Sequence, residues 1–282
     1  MQITVVGSVN LDIVATGEQL PRPGETVINA VLAQHPGGKG ANQALAARRL
    51  GAEVVLLAAV GRDTNADAAL ALLRAEGVNL SYCQVEPRLP TGVALIAVAA
   101  SGENQIIVAP GANRALGNTF ALPPSDAVIC QLEVPVAAVE RAAAQCRGLL
   151  VLNLAPAADI PPALLQRADL LIVNETEAEF YGASLRIRRG MLAITAGGRG
   201  AILWRDGQEI ARAAPPAITP LDTTGAGDAF VAALTVALLE GQPADAALRF
   251  ACAAGAACAL RAGAQPALPD RAQVLALLAA GR

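Results

Sequence analysis

The chain has 282 residues, and its 21 basic and 24 acidic side chains give a formal net charge of −3. A chain of this length is able to bury a full core as one large domain or two small ones. The charge balance argues against nucleic acid as a partner, because a protein that binds a phosphate backbone needs a surplus of lysine and arginine.

The apolar content of 54% does not by itself indicate a membrane protein. The longest uncharged run, residues 89–102, is polar at both ends and shorter than the ~18–20 apolar residues that span a bilayer. The N-terminus passes directly into an apolar strand at residues 2–6, without the features of a signal peptide. Five scattered cysteines and one histidine, His35, predict reduced thiols rather than a zinc site or a disulfide framework. We therefore expect a soluble, cytoplasmic protein with no membrane partner.

Apolar runs of strand length alternate with helical patterns along the chain. The predicted strands lie at residues 3–6, 54–59, 127–130, 149–152, 170–173 and 192–195. The predicted helices lie at residues 41–50, 66–75, 136–146, 229–239, 244–260 and 271–278. Apolar strands that alternate with helices indicate an α/β fold of three layers, with a mostly parallel sheet covered by helices on both faces. Ligands of such folds bind beyond the carboxyl ends of the strands.

Two segments interrupt this alternation. Residues 11–34 carry Pro21, Pro23 and Gly24 between short β-prone pieces. Residues 91–108 have the pattern of a hairpin that turns at residues 101–102. Together they predict a small antiparallel sheet that covers one end of the main sheet as a lid. Two separate hairpins that face solvent are the alternative.

The sharpest local motif is Asp-Thr-Thr-Gly-Ala-Gly-Asp at residues 222–228, directly before a predicted helix. Gly225, Ala226 and Gly227 stand where the helix begins, so their N–H groups and the helix dipole favour an anion such as a phosphate. Asp228 would repel a bound phosphate and is better placed as a base for an incoming hydroxyl. A glycine-rich turn with Asp228 as an ordinary first-turn residue is the alternative.

Two further motifs carry polar groups that suit a sugar. Gly-Gly-Lys-Gly-Ala-Asn at residues 37–42 opens a helix, and its Lys39 and Asn42 can hydrogen-bond a ligand. Asn10 and Asp12 follow the first strand and alternate onto one side, where they suit adjacent sugar hydroxyls. The alternatives are turn-forming residues and a solvated lysine. Neither GxxxxGK[ST] nor a GxGxxG after the first strand occurs, so the common nucleotide motifs are absent.

Acidic residues follow two other predicted strands. Asn174 and Glu177 come after the strand at residues 170–173 and are able to hold Mg²⁺ through water, because that ion takes few protein carboxylates. A helix N-terminus with acidic residues that complement the dipole explains them equally well. Glu133, which follows the strand at residues 127–130, is either a sugar ligand or a capping residue.

In this order, these motifs resemble those of the ribokinase-like carbohydrate kinase family. The resemblance runs nearly end to end and takes in three further strings: Gln-Leu-Glu at 131–133, Thr-Ala-Gly-Gly-Arg-Gly at 195–200 and Gly-Ala-Gln-Pro at 263–266. It implies one ribokinase-like kinase domain over residues 1–282, in which segments 11–34 and 91–108 form the family's β lid.

The resemblance also implies an activity. The γ-phosphoryl group of ATP would pass to the 5-hydroxyl of D-ribose, with Mg²⁺ and a monovalent cation such as K⁺ as cofactors. A related kinase for another sugar or a nucleoside is the first alternative, and a sugar-binding protein without turnover is the second. Retention of Asp228 and its small neighbours argues against the second. The family further implies a homodimer formed through the lid.

Residue roles follow from the same resemblance. The sugar site would consist of Asn10, Asp12, Gly38, Lys39, Gly40, Ala41, Asn42 and Glu133. Asp228 would be the base, next to an anion hole formed by Gly225, Ala226 and Gly227. The nucleotide would contact Asn174, Thr195, Ala196, Gly197, Gly198, Arg199, Gly200, Gly227, Asp228 and Cys252. Glu177 would serve Mg²⁺, and the monovalent cation would lie near Asp222, Thr224, Cys258, Arg261, Gly263 and Ala267.

The chain departs from the family pattern at two places. Between Tyr181 and Met191 it has only residues 182–190, where relatives usually carry a further helix, so the nucleotide side is expected to differ. At Ala267 relatives often have serine. We therefore expect either a weaker affinity for the cation or a contact made by the backbone carbonyl alone.

Overall fold

The computed structural model of the chain describes residues 1–117, 119–185 and 190–281. The strands in these ranges are β1 (Gln2–Val6), β2 (Asn10–Gly17), β3 (Val31–Gly37), β4 (Glu53–Leu57), β5 (Ala59–Gly61), β6 (Gln84–Glu86), β7 (Gly92–Ala99), β8 (Asn104–Ala109), β9 (Ala127–Cys130), β10 (Leu149–Asn153), β11 (Leu170–Asn174), β12 (Met191–Thr195), β13 (Ala201–Arg205) and β14 (Gln208–Ala213). The α-helices are α1 (Lys39–Arg49), α2 (Thr64–Ala75), α3 (Val136–Gln145), α4 (Pro162–Arg167), α5 (Glu175–Tyr181), α6 (Ala226–Leu239), α7 (Ala244–Cys258), α8 (Ala264–Ala267) and α9 (Arg271–Ala280). Short 3₁₀ helices lie at Gly111–Ala115, Gly182–Leu185 and Gly197–Arg199.

The main sheet has eight strands in the order β14-β13-β12-β11-β10-β9-β1-β4. The strands from β12 to β4 pair in parallel, whereas β13 and β14 add an antiparallel edge. Parallel strands need long crossover connections, and the helices between them provide these. The predicted mostly parallel sheet is therefore confirmed.

Helices cover both faces of the main sheet, as predicted. On β9, Ile129 points into a core shared with α1, α2, α6, α7 and α9, while its neighbours Val128 and Cys130 point into a second core with α3, α4 and α5. This alternation follows from the two-residue period of a strand. Both sides of each central strand are thus buried, which explains why these strands are apolar throughout. None of the helices in the described ranges combines the length and the apolarity that crossing a bilayer requires.

A second sheet, called here the small sheet, has four strands in the order β3-β2-β7-β8. The β2–β3 and β7–β8 pairs are antiparallel hairpins, and β2 pairs with β7 in parallel between them. The predicted small sheet is therefore present, with a parallel central pair that the two hairpin patterns did not indicate. Several of its apolar side chains are exposed: Val31, Leu32, Leu95, Ile106 and Ile107.

The structure differs from the predicted elements at several places. The predicted strand at 54–59 is two strands, because the chain turns after β4 and β5 then pairs with β6 in a separate sheet. The edge hairpin β13–β14 and the short helices α4 and α8 were not predicted, whereas α5 begins where a helix N-terminus was one of the two alternatives for Asn174 and Glu177. In the shortened segment 182–190 a 3₁₀ helix occupies Gly182–Leu185, and residues 186–189 lie outside the described ranges.

Candidate active site

Asp228 lies in the first turn of α6 and is buried among polar side chains. Its Oδ2 accepts a hydrogen bond from Asn42 Nδ2 at 2.9 Å, and its Oδ1 accepts one from Gln43 Nε2 at 2.8 Å. The helix begins at Gly225, whose φ of 79° is in the left-handed region that glycine tolerates. The glycine-rich turn thus directs the carboxylate inward, toward α1, rather than toward solvent as an ordinary first-turn residue would be.

Carboxylates and one ammonium group converge beside this helix start. Burial raises the pKa of the Asp12 carboxyl to about 7. The carboxylates of Glu133 and Asp228 add to this rise, whereas the Lys39 ammonium opposes it. Burial also raises the pKa of Asp228, against the effects of Lys39 and the two amide donors. Burial alone would lower the pKa of Lys39, but the surrounding carboxylates raise it; they are those of Asp228, Glu133, Glu177 and Asp12. Lys39 is therefore held as an ammonium ion.

Glu133 connects the loop after β9 to the start of α1. Its Oε2 accepts a hydrogen bond from the backbone N–H of Lys39 at 3.1 Å and another from the hydroxyl of Ser8. Ser8 Oγ in turn accepts from the N–H of Gly40 at 3.3 Å. Of the two roles predicted for Glu133, these contacts display the capping one, at the N-terminus of a helix distant in sequence. Ser8 was not among the predicted site residues.

Asn10 is buried where β1 leads into β2. Its Oδ1 accepts a hydrogen bond from Asn113 Nδ2 at 2.7 Å. Asn113 also bridges the backbone of Val9, because it accepts from the Val9 N–H at 2.9 Å and donates to the Val9 carbonyl at 3.1 Å. The orientation of the Asn10 amide is thereby set, with its Nδ2 left as the donor for a ligand. The sequence analysis missed Asn113, which lies in the 3₁₀ helix after the small sheet.

Glycines allow β1 and α1 to approach each other closely. A Cβ at Gly40 would lie 2.5 Å from the carbonyl carbon of Gly7, so neither backbone leaves room for a side chain. Gly38 has a φ of 89°, and a Cβ there would lie 2.7 Å from the backbone nitrogen of Asn10. The glycines of the 37–42 motif therefore serve to bring Lys39 and Asn42 beside the end of β1.

A cleft of about 460 Å³ opens beside the start of α6. It is lined by six of the predicted nucleotide residues: Thr195, Gly197, Gly198, Gly200, Gly227 and Cys252. The lining also includes Ala226 of the predicted anion hole. The remaining wall is mostly apolar and was not predicted; it consists of Pro215, Pro216, Ala217, Ile218, Pro220, Thr223, Phe230, Gly255, Ala256 and Ala259. A Cβ at Gly227 would meet no atom within 4 Å, so the space outside this residue is open.

Three predicted nucleotide residues lie at the border of the cleft rather than in its lining. Asn174 pairs with Thr195 across β11 and β12, and its side chain caps α5. The Arg199 guanidinium is exposed and forms an ion pair with Glu175 at 2.5 Å. Ala196 bonds through its N–H to the carbonyl of Gly200 at 2.7 Å. In the predicted anion hole, the N–H of Ala226 donates to the carbonyl of Thr223 at 3.2 Å.

Glu177 is buried and forms a capping box with Asn174. The Asn174 N–H donates to Glu177 Oε2 at 2.8 Å, and the Glu177 N–H donates to Asn174 Oδ1 at 2.8 Å. Burial raises the pKa of Glu177, while the Asn174 hydrogen bond and the Lys39 ammonium lower it. Within the described ranges no three His, Cys, Asp or Glu side chains cluster as metal ligands. The residues fit Mg²⁺ only as a water-mediated neighbour of Glu177, which is the coordination that this ion favours.

Asp222 joins the 222–224 turn to the loop before α8. Its Oδ1 accepts from the N–H and the hydroxyl of Thr224 at 2.9 and 2.6 Å, and its Oδ2 accepts from the Gly263 N–H at 2.8 Å. Burial favours protonation, but these hydrogen bonds and His35 outweigh it and lower the pKa. Cys258 Sγ donates to the carbonyl of Thr224 at 3.5 Å. An ionised carboxylate between two loops fits a monovalent cation.

The remaining predicted cation residues differ in their exposure. Arg261 is exposed, whereas Ala267 is fully buried in α8. The side chain of Ala267 has no oxygen, so only its backbone carbonyl is able to serve a cation.

Comparisons with known proteins agree over nearly the whole chain. A family model described as pfkB family carbohydrate kinase matches residues 1–271. Ribokinase from Bacillus subtilis (strain 168) is 38% identical over 291 residues, which cover 98% of this chain and 99% of the relative. Deoxyribokinase from Salmonella typhimurium (strain LT2) is 30% identical over 295 residues, covering 96% of each protein. The structure of Arabidopsis thaliana ribokinase complexed with ribose and ATP matches with a TM-score of 0.88 at 31% identity and covers 98% of both chains.

Proposed function

The chain belongs to the pfkB family of carbohydrate kinases, and from that premise we propose that it is an ATP-dependent ribokinase. It phosphorylates the 5-hydroxyl of D-ribose and releases D-ribose 5-phosphate and ADP. One observation carries the proposal: Asp228 bonds Asn42 of the glycine motif and directly follows Gly227 of the cleft. A single carboxylate thus joins the region that suits a sugar to the region that suits a nucleotide.

The sugar side supplies both a hydrogen-bond donor and a hydrogen-bond acceptor. Asn10 offers an amide N–H as donor, and Asp12 offers a carboxylate as acceptor, so together they suit adjacent hydroxyls. Asp228 takes the proton of the 5-hydroxyl as that oxygen attacks the γ-phosphorus of ATP. The protonated Lys39 offsets the negative charge of the carboxylates and of the incoming phosphate. The amide hydrogen bond from Asn42 helps to hold the base in place.

The nucleotide side supplies charge stabilisation. The start of α6, at Gly225, Ala226 and Gly227, places the positive end of a 14-residue helix beside the cleft. Phosphoryl transfer depends on positioning and charge stabilisation more than on covalent chemistry. Loss of one preorganised donor of this kind costs about 10²–10³-fold in rate. The open space beside Gly227 allows a phosphate to approach the backbone closely.

Two cations belong to this proposal. Glu177 would hold Mg²⁺ through water, and this ion neutralises charge on the transferred phosphoryl group when it is bound. Asp222 and the carbonyls near Thr224, Gly263 and Ala267 would hold K⁺. In that arrangement the cation stabilises the turn that leads into the helix start.

We also propose that the small sheet is a lid and an interface for a second copy of the chain. Asn10 and Asp12 lie on its strand β2, so a movement of the sheet would carry these two residues of the sugar site with it. Its exposed Leu95 and Ile107 face each other across β7 and β8 and form part of an apolar surface. The cytoplasmic location expected from the sequence is also part of this proposal.

A deoxyribokinase is the second candidate, because two relatives that cover 96% of the chain carry that name. The two activities differ in one hydroxyl of the sugar. A site that hydrogen-bonds this hydroxyl rejects the analogue that lacks it by a large factor, since buried polar groups are then left unpaired.

The test is ADP release from MgATP with D-ribose, 2-deoxy-D-ribose, D-fructose or adenosine, each with and without K⁺. The proposal expects turnover that depends on D-ribose and increases with K⁺. Preference for 2-deoxy-D-ribose would establish the second candidate, and turnover with fructose or adenosine alone would exclude both. Binding of ribose without turnover on any acceptor would leave a sugar-binding protein on the kinase fold. A reaction without sugar serves as the control for ATP hydrolysis.

A further inference from the structure

A buried network of side-chain amides lies behind Asp228. Gln43, on α1, is fully buried, and its Nε2 donates to Asp228 Oδ1 at 2.8 Å and to Asn153 Oδ1 at 3.0 Å. Its Oε1 accepts from Gln131 Nε2 at 2.5 Å. Asn153, at the end of β10, donates through its Nδ2 to the carbonyl of Ile172 at 3.2 Å. The network therefore joins α1 and α6 to the carboxyl ends of β9, β10 and β11.

The contacts of Gln43 admit one orientation of its amide. If the amide were rotated by 180°, its oxygen would face the carboxylate of Asp228 and the oxygen of Asn153, and its NH₂ would face that of Gln131. Acceptors would then meet acceptors and donors would meet donors. Gln131 and Asn153 thus hold the N–H groups of Gln43 toward Asp228.

Two amides hold Asp228 from two sides. Asn42 occupies Oδ2 and Gln43 occupies Oδ1, so the plane of the carboxylate is set by both. The direction of the remaining lone pairs, and hence the place where a proton can be accepted, depends on this plane. Catalytic geometry is sensitive to such details, because a displacement of about 1 Å can cost about 10²-fold in rate.

We propose that Gln43 is a positioning residue for phosphoryl transfer. It holds the Asp228 carboxylate in the plane that accepts the proton of the sugar hydroxyl, and Gln131 and Asn153 hold Gln43. The proposal rests on the proposed function, since it assigns Asp228 the role of base. Gln43 is able to act only through Asp228, because its polar atoms are already engaged by protein groups and none is left for a ligand.

Gln43→Leu tests the proposal through a separation of kcat from binding. We expect kcat to fall by about 10²-fold, because the base loses one of its two supports. The Kd for D-ribose, measured by calorimetry without nucleotide, stays at the wild-type value. A residue that served only the packing of α1 would instead weaken ribose binding and lower Tm together with kcat. A kcat near that of the wild type would overturn the proposal.

A second variant keeps the proposal testable if Gln43→Leu does not fold. Gln131→Met removes only the group that orients Gln43, so a smaller fall in kcat is expected, again at constant ribose Kd. Where both fold, the double variant should have the kcat of Gln43→Leu alone, because residues of one network are not additive. If the fall in kcat of the double variant were the product of the two single falls, the network would be contradicted. An unchanged kcat for Gln131→Met would also contradict it.

Two controls separate a loss of positioning from a general effect on α6 and from a failure of the proposed function. Thr235→Val removes a buried hydroxyl from the same helix as Asp228, where Thr235 Oγ1 donates only to the carbonyl of Val231 at 2.8 Å. Its kcat should remain that of the wild type. Wild-type turnover is measured first: its absence with every acceptor would contradict the proposed function. Normal wild-type turnover with an unaffected Gln43→Leu would contradict the positioning role alone.

Discussion

The residues of the candidate site bring several carboxylates around one ammonium group. Asp12, Glu133, Glu177 and Asp228 all raise the pKa of Lys39. Their mutual repulsion is a cost to the unliganded protein, because like charges are held together in a buried place. Sites of this kind are expected where function requires charged groups that folding alone would not favour. This balance can be tested at Asp228 and at Asp12.

Asp228→Asn should abolish most turnover, since an amide does not accept a proton from the attacking hydroxyl. We expect kcat to fall by about 10²–10⁴-fold in a coupled assay for ADP. Calorimetry should give a ribose Kd close to that of the wild type. Because the new NH₂ would face Asn42 or Gln43, Tm is measured alongside to show that the variant is folded. A kcat close to the wild-type value would remove Asp228 from the role of base.

Asp12→Asn should stabilise the unliganded protein at high pH. The folded pKa of about 7 lies above the ordinary value of 3.8, so the folded state binds the proton more tightly than the unfolded state does. Protonation of Asp12 therefore contributes to the free energy of unfolding in full below about pH 4, and this contribution is lost as pH rises through about 7. The amide that replaces the carboxylate carries no charge, so Tm at pH 8 should rise, by about 2–4 °C for each kcal/mol gained.

The control for this prediction is Asp67→Asn, which changes an exposed carboxylate on α2 whose 3.8 Å ion pair with the exposed Arg74 is screened by solvent. Its Tm should equal that of the wild type at both pH 5 and pH 8. The same Asp12→Asn protein should bind D-ribose more weakly at pH 8, because an acceptor is lost. An Asp12→Asn variant that is less stable than the wild type at pH 8 would contradict the electrostatic argument.

Among the elements, the start of α1 depends on a backbone conformation that only glycine adopts easily. Gly38 has positive φ, and a Cβ there would meet Ser8 and Val9 in the loop after β1 and Asn10 on β2, so the helix start, that loop and the small sheet meet at one residue. The sequence predicted that this motif opens a helix, but not that the helix start meets the other two elements here. Steric strain and steric contact can be separated by comparing Gly38 with another glycine of similar φ.

Gly38→Ala and Gly51→Ala form a matched pair. Both residues have positive φ, 89° and 102°, but a Cβ at Gly51 meets nothing within 4 Å, whereas one at Gly38 lies 2.7 Å from Asn10 N and 2.9 Å from Ser8 O. Gly51→Ala should lower the free energy of unfolding by about 1–2 kcal/mol, from strain alone. Gly38→Ala should lower the free energy of unfolding, measured by urea titration, by more than Gly51→Ala does. It should also weaken ribose binding, since Asn10 must move. Equal effects on stability would contradict the contact argument.

The elements that the sequence analysis missed are short or lie at an edge. The β13–β14 hairpin turns at Asp206 and Gly207, both with positive φ, and the dipeptide Asp-Gly is a common hairpin signal. That signal was present in the sequence and was overlooked. The division between β4 and β5 had no such signal, because the apolar run continues through it and only pairing with β6 redirects the chain.

At the scale of the whole molecule, the small sheet has an apolar surface that the described residues of one chain leave open. Leu95 is 47% exposed, and Ile107, its partner across the hairpin, is 69% exposed. Contiguous apolar surface of this kind marks interaction sites in proteins. The proposed homodimer would bury this surface, and would thereby limit the movement of β2, the strand that carries Asn10 and Asp12.

The double variant Leu95→Lys/Ile107→Lys should convert the proposed dimer to a monomer. Two buried, unpaired charges at the centre of an interface oppose association strongly. The measurement is light scattering coupled to gel filtration, with wild type run at the same concentrations. Leu275→Lys, which changes a residue 50% exposed on α9, is the control and should leave the dimer intact. A wild-type monomer, or a dimeric double variant, would contradict the proposed interface.

The sequence by itself determined the family, the three-layer α/β fold and the main motifs of the candidate site. It could do so because apolar periodicity and glycine-rich motifs are local, and local patterns can be interpreted without coordinates. Asp228, Lys39 and Asn42 were predicted in this way. Their relative placement was implied by the family resemblance, and the contacts between them were left open.

Only the tertiary structure decided which partners orient these groups. Gln43 and Asp228 are 185 residues apart, and Asn10 and Asn113 are 103 residues apart. The sequence around a buried glutamine or asparagine does not show which distant residue its amide will bond, so no local preference of the chain predicts such pairs. Sheet order and helix packing bring them together, and the requirement that buried polar groups be hydrogen-bonded then selects the partners.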